Sequence, residues 1–178
     1  MKNGLKVLIG IFMAILMVGA WFFGTINTLS LFNEEFKSEQ LRIETTLQSR
    51  NNLIPGIVQV ISSYVTDEEV FKEVDDARLK LVKSIKSEDM ESIIEANNGL
   101  DSALGKLLAI SENYPILKSS QRFMELQDEL TIVENRIDLL KNYYNDRVKI
   151  YNKLVKYMPE SIIAKMYGYY PMPKFKNS

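Results

Sequence analysis

The chain has 178 residues, 46% of them hydrophobic and 25% charged, with a net charge of -1, the content of one compact domain plus an additional apolar segment. It contains neither cysteine nor histidine, which excludes thiolate nucleophiles, disulfides, imidazole acid–base chemistry and the usual zinc sites. Near-balanced charge argues against nucleic acid as a partner, because phosphate binding needs a concentrated basic face.

The first element is apolar. Residues 7–23 (VLIGIFMAILMVGAWFF) carry no charge, and the uncharged stretch continues to Glu34. About 20 helical residues cross a hydrocarbon core of roughly 30 Å, and Trp21, Phe22 and Phe23 stand where an aromatic belt would anchor one end. A cleavable signal peptide would use Lys2 and Lys6 as its basic region and Val18-Gly19-Ala20 as its cleavage site, but its apolar core would span only about 7–15 residues. The length therefore predicts a retained single-pass anchor in the cell membrane. Lys2 and Lys6 precede the span, whereas Glu34, Glu35, Glu39 and Glu44 accompany Lys37, Arg42 and Arg50 after it. The positive-inside rule then favours a cytoplasmic N-terminus and an extracytoplasmic domain.

Beyond the span the chain reads as helix, with no sustained apolar–polar alternation of the kind a half-buried strand needs. Leu29, Phe32, Phe36, Ile43 and Leu47 form a stripe that continues through Ile54, Val58, Ile61 and Val65. Pro55 lies inside this stripe and is expected to kink or interrupt the helix, since it lacks a backbone donor and crowds the preceding turn, with Ser49 to Asn52 available as caps. Thr66-Asp67-Glu68-Glu69 is a capping box for a helix with Val70, Val74, Ala77, Leu81 and Ile85 inward. Ser87 is expected to cap the next helix, which carries Ile93, Asn97, Leu100, Leu104 and Leu107 and stops near Asn113, ahead of Pro115. On that stripe Asn97 either pairs with another buried group or lies at the edge. From Ser119 to Tyr157 the apolar positions Phe123, Leu126, Leu130, Val133, Ile137, Leu140, Tyr144, Val148, Tyr151 and Val155 recur every three or four residues, giving one long helix with one apolar face. Pro159, Gly168, Pro171 and Pro173 then mark a short helix followed by an extended stretch.

These elements predict an all-α chain: an N-terminal transmembrane helix and an elongated antiparallel up-and-down bundle of about four long helices. The predicted boundaries are an anchor at 1–25, the bundle at 26–158 and an aromatic, proline-containing tail at 159–178.

Several blocks resemble those of a known family. Arg50-Asn51-Asn52-Leu53-Ile54-Pro55, followed by Val58 and Tyr64, resembles an R-x-[DN]-L-I-P segment. Glu112-Asn113-Tyr114-Pro115-Ile116-Leu117-Lys118, with Phe123, Leu126 and Gln127, resembles E-x-Y-P-x-L-K. Glu134-Asn135-Arg136-Ile137, Tyr144-Asn145 and Tyr151-Asn152 resemble E-N-R-I and paired Y-N blocks, and Pro159, Ala164, Gly168 and Tyr169 resemble the C-terminal end. In this order they are similar to the LemA family across nearly the whole predicted bundle. The resemblance implies a bacterial, membrane-anchored antiparallel helical bundle of unassigned molecular function, with no catalytic residues to transfer. It also implies a short external N-terminus with a cytoplasmic domain, opposite to the charge count. Asn52 stands where an acid is frequent in the family, and Gly56 where asparagine is.

No catalytic, cofactor-binding or metal-ligating residue emerges, and the chain is not expected to be an enzyme. Arg50 and Asn52 beside Pro55 would hold a ligand or, more simply, satisfy backbone groups freed by the helix break. Tyr144 and Tyr151, seven apart, share a face and are expected in the core with their hydroxyls at its edge. Glu91/Glu95 and Glu125/Glu129 read as solvated faces, because a di-metal bundle needs a Glu-x-x-His element that a histidine-free chain lacks. Tyr167, Tyr169, Tyr170 and Phe175, among Lys165, Lys174 and Lys176, either touch lipid headgroups or a partner, or fold back over the bundle end.

The function expected on this basis is a membrane-anchored interaction module or scaffold of the bacterial envelope. Its partners would be the lipid bilayer, through the first helix, and another envelope protein or further copies of itself. The alternative is a sensor that binds a small molecule or ion between helices near Asn97 or the Pro55 break. A hydrolase built on carboxylates alone finds no P-loop or nucleophile-elbow pattern to support it.

Overall fold

A computed structural model describes residues 2–176; Met1, Asn177 and Ser178, the outer ends of the predicted anchor and tail, lie outside the described residues. All regular structure among these residues is helical: α1 (Lys2–Ser62), α2 (Glu68–Ser87), α3 (Met90–Ser111), α4 (Pro115–Lys118), α5 (Gln121–Lys156) and α6 (Glu160–Met166). They form two compact units. Among the described residues one contains 2–38 and 146–172, the other 39–145 and 173–176, and both α1 and α5 contribute to each.

Helix α1 runs through Pro55 without interruption, so of the expected kink or interruption the second does not occur. The lost donor and the ring's clash with the preceding turn cost about 3 kcal/mol or more in a helix interior. Burial offsets that cost: Ile54, Ile57 and Ile61 are fully covered on the same helix, and each buried aliphatic side chain contributes about 1.5–3 kcal/mol. The next residue, Gly56, allows close approach to α5, since a Cβ there would meet Leu126 Cδ2 at 3.3 Å.

The second unit is an up-and-down bundle whose directions follow from its contacts. Glu88, in a left-handed conformation (φ 56°), closes α2 with its N–H on the Ile85 carbonyl, and α3 starts two residues later. The pairs Lys106–Glu73 (2.6 Å) and Lys80–Glu95 (2.7 Å) fix α2 and α3 as antiparallel. Gly56 beside Leu126 and Arg50 beside Glu134 make α1 and α5 antiparallel. Gln40 donates to the Glu88 carbonyl and Arg50 to Asn97, so α1 and α3 run the same way.

The caps differ from expectation by small shifts. Asp67, not Thr66, accepts the N–H of Val70 at the start of α2. Asp89, not Ser87, caps α3 by accepting from the Ser92 N–H and hydroxyl, and these bonds, the Ser92 hydroxyl first, lower its carboxyl pKa. The Ser87 hydroxyl donates instead to the Ser84 carbonyl at the end of α2. A carboxylate accepts these donors more strongly than a hydroxyl, so each cap falls on the acid. Pro115 occupies the first turn of α4, where its missing N–H has no partner to lose.

In the first unit, residues from Leu5 to Val18 on α1 stay largely exposed. Among the described residues α1 is the one helix long and apolar enough to cross a membrane. Further along, Phe36 packs edge-on against Tyr151 at 5.2 Å and Phe32 lies 5.9 Å from the same ring. Leu29 is fully buried, and Arg147 pairs with Glu35 at 2.5 Å.

Candidate functional site

Within the second unit the residue that departs furthest from an apolar core is Arg50, which has 0% of its surface exposed. Its Nη1 donates to Asp101 Oδ1 and, at 3.0 Å, to Glu134 Oε1; its Nη2 donates to Asn97 Oδ1 at 2.8 Å. Asn97 is also fully buried and passes the chain on, its Nδ2 donating to Asp101 Oδ2 at 3.0 Å. Lys141, almost covered, reaches the same Asp101 oxygen at 3.4 Å. Two cations thus face two carboxylates across α1, α3 and α5. A planar guanidinium is suited to this role, because it directs separate N–H groups to separate acceptors.

This arrangement decides two questions left open by the sequence. Asn97 is a paired core residue and does not lie at a stripe edge. Arg50 is structural in location, but it binds side chains and not carbonyls freed at Pro55. Asn52 plays no part: it is exposed and accepts from Gln48 at 3.1 Å. Arg50 Nε and Asn51 Oδ1 are buried without a hydrogen-bond partner. Asp101, Glu134 and Lys141 escaped the sequence reading. Asp101 lies four residues after Asn97, a helical neighbour spacing, and Glu134 opens the Glu134-Asn135-Arg136-Ile137 block, so both left a signal; Lys141 left none.

Next to this network α1 and α5 frame an open groove of about 480 Å³, lined by Leu41, Arg42, Thr45, Thr46, Ser49, Val133, Arg136 and Leu140. The hydroxyls of Thr45, Thr46 and Ser49 each donate to the carbonyl one turn back, leaving their oxygens as acceptors. Arg42 is mostly exposed and lies 3.4 Å from Glu39. Arg136 is exposed and forms no ion pair among the described residues. Leu41, one of the lining residues, is itself exposed.

The paired Tyr-Asn positions hold the chain's own C-terminal segment. Asn152 accepts the Met172 N–H at 2.8 Å and donates to the Met172 carbonyl at 2.9 Å. Asn145 does the same with Phe175, at 2.9 and 3.0 Å. Each amide thus satisfies both backbone groups of one residue, as a neighbouring strand would. Tyr144 is buried edge-on against Phe175 and donates its hydroxyl to the Pro173 carbonyl at 3.2 Å. Burial pushes its phenol well above the ordinary range. Tyr151 is raised as well, by burial first and then by Tyr169. Of the tail aromatics, Phe175 folds back into the core, and the Tyr169 hydroxyl meets Ser30 Oγ at 3.1 Å. Tyr167 and Tyr170 remain exposed.

The carboxylate pairs do not converge on a common point. Glu95 binds Lys80, which lowers its pKa first through the hydrogen bond and then through charge. Glu125 accepts from Gln121, and Glu91 and Glu129 face solvent. Among the described residues no group of three or more acidic side chains is placed to hold a metal ion.

The family model for LemA matches residues 39–178, from the α1 portion that carries Arg50 through the clamped tail. The chain belongs to the LemA family. Curated relatives of this LemA chain include the magnetosome protein MamQ 2 of Paramagnetospirillum magneticum (strain AMB-1), 23% identical over 167 residues. The magnetosome protein MamQ of Magnetospirillum gryphiswaldense is likewise 23% identical over 167 residues. Each match covers 80% of this chain but 61% of the relative, so the chain spans about three fifths of the length of these proteins.

Proposed function

We propose that this LemA-family chain is a single-pass, membrane-tethered interaction module of the bacterial envelope, without catalytic activity. The groove between α1 and α5 is its docking surface. One observation carries the reading: the groove combines the apolar side chains of Leu41, Val133 and Leu140 with two exposed guanidinium groups, of which Arg136 has no ion pair among the described residues. That chemistry fits an amphipathic helix of a partner protein that presents acidic residues beside its apolar face. Similarity to proteins named for the magnetosome supports a membrane-associated role. The charged groups of the core are consumed in pairing with one another, and a scaffold requires none of them to react. Of the two places expected for the sensor alternative, near Asn97 or at the Pro55 break, the first has its amide occupied by Arg50 and Asp101.

The test is site-specific photocrosslinking of the full chain in its native membrane, with the crosslinker placed at exposed Leu41, which lines the groove, and, for comparison, at exposed Leu79. The expected result is one defined adduct at position 41, absent at 79, that disappears in the double variant Arg42→Glu/Arg136→Glu while helical content is unchanged. The same adducts at both positions, or an adduct indifferent to charge reversal, overturn the assignment.

A further inference from the structure

In the first unit, α6 and its flanks lie at the level where the apolar portion of α1 ends. A span that begins after Lys6 covers roughly 30 Å in about 20 residues, so the boundary of the hydrocarbon layer falls near Ile26, about one helical turn beyond Phe22. The ring of Tyr167, at the end of α6, stands 6.3 Å from that of Phe22. Glu160, at the start of α6, shares a cleft with Trp21, Gly24, Thr25, Thr28 and Leu154. Both ends of this short helix are therefore level with the same few turns of α1, and α6 lies across α1 at the depth where the span leaves the membrane.

Its exposed surface has the chemistry of that depth. Helix α6 buries Ser161, Ile163 and Ala164 and turns Ile162, Met166 and Tyr167 outward, with Met166 70% exposed. The flanks add Tyr157, Met158 (71% exposed) and Tyr170 (73% exposed). Exposed apolar side chains on a water-facing surface normally occur singly; these are concentrated in one short segment next to the membrane exit. Lys153, Lys156 and Lys165 are exposed among them, and Glu160 is the one acid between positions 153 and 172. Tyrosine rings and lysine stems favour the headgroup layer, where the apolar body is buried and the polar tip stays hydrated.

We infer that Tyr157 to Tyr170 forms a second membrane contact, seated in the headgroup layer of the bilayer that α1 enters and favouring anionic lipid. The inference rests on α1 spanning that bilayer. Ile150 provides an internal contrast: it is exposed and apolar, but its neighbour Tyr151 packs on Phe32 and Phe36, about 15–21 Å along α1 beyond Phe22.

The cysteine-free chain permits a direct test. Full-length protein carrying Leu16→Cys, Ile150→Cys or Met166→Cys is labelled with an environment-sensitive fluorophore. Each is inserted at one copy per nanodisc of phosphatidylcholine, with or without phosphatidylglycerol, and quenched by lipids spin-labelled near the headgroup or deep in the acyl chain. The expected pattern is deep quenching at position 16, shallow quenching at 166 several-fold above that at 150, and a further rise at 166 with phosphatidylglycerol that Lys153→Gln/Lys156→Gln/Lys165→Gln removes. Quenching at 166 no greater than at 150, with position 16 deeply quenched, overturns this inference and leaves the anchor standing. Equal quenching at 166 in both lipid mixtures overturns the anionic preference. No quenching at position 16 overturns the anchor and the second contact together.

Discussion

Arg50 shows how one side chain can couple three helices. Its guanidinium reaches Asp101, Glu134 and Asn97 from a fully buried position, and breaking a buried pair by removing one partner typically costs about 3–5 kcal/mol. The two acids are each more than a third solvent-accessible as side chains (38% and 35%), which moderates that cost. Arg50→Ala is therefore expected to destabilise the second unit by about 2–4 kcal/mol in urea unfolding. Arg50→Lys should recover only part of the loss, because a single ammonium cannot direct separate groups to acceptors on α3 and α5. Full recovery by lysine would show that charge alone matters. Tyr144 yields a pH prediction. Its folded-state pKa is raised, so the stabilisation it provides is complete below the unfolded phenol value of about 10 and declines as pH rises beyond it. Thermal unfolding followed from pH 8 to 11.5 should show an alkaline fall in Tm that Tyr144→Phe makes shallower.

At the scale of elements, the long helices and the tail follow different physics. Helix α5 combines a buried stripe from Phe123 to Val155 with amides at positions 145 and 152 that each take both backbone groups of one tail residue. The extended tail has no regular structure of its own, so these bonds satisfy main-chain groups that burial would otherwise leave unpaired. Asn145→Ala/Asn152→Ala should free the tail while α1 to α5 remain folded. Hydrogen exchange would then show loss of protection at the Met172 and Phe175 amides, with little change at Leu100 or Ile137. Collapse of protection throughout would mean that the tail is required for the bundle to fold. Pro55 carries a related lesson: a local helix breaker is tolerated where the residues on either side bury fully against neighbouring helices.

At the scale of the whole molecule, the question with the greatest functional consequence is which face of the membrane carries the bundle. The basic flank of the span favours a cytoplasmic N-terminus and an external bundle. Leu79→Cys places a single thiol at an exposed site in this cysteine-free chain. A membrane-impermeant maleimide should label it in intact cells if the charge bias governs. Protection until lysis would put the bundle in the cytoplasm and turn the search for the proposed partner inward.

The all-helical class, the long α5 and the apolar first part of α1 were legible in sequence because each rests on a local periodicity or on length, quantities that neighbouring residues carry by themselves. The LemA resemblance was legible for a similar reason, since its motifs are contiguous blocks. Several decisions belonged to the tertiary structure alone. Asn97 became a core partner only when α1 brought Arg50 to it, the asparagine side chains became clamps only when the tail returned to α5, and the continuity of α1 through Pro55 depended on burial at Ile54, Ile57 and Ile61. Each joins groups far apart in sequence. A local pattern reports which face of a helix is apolar, but it carries no information about which polar group the opposing helix will present.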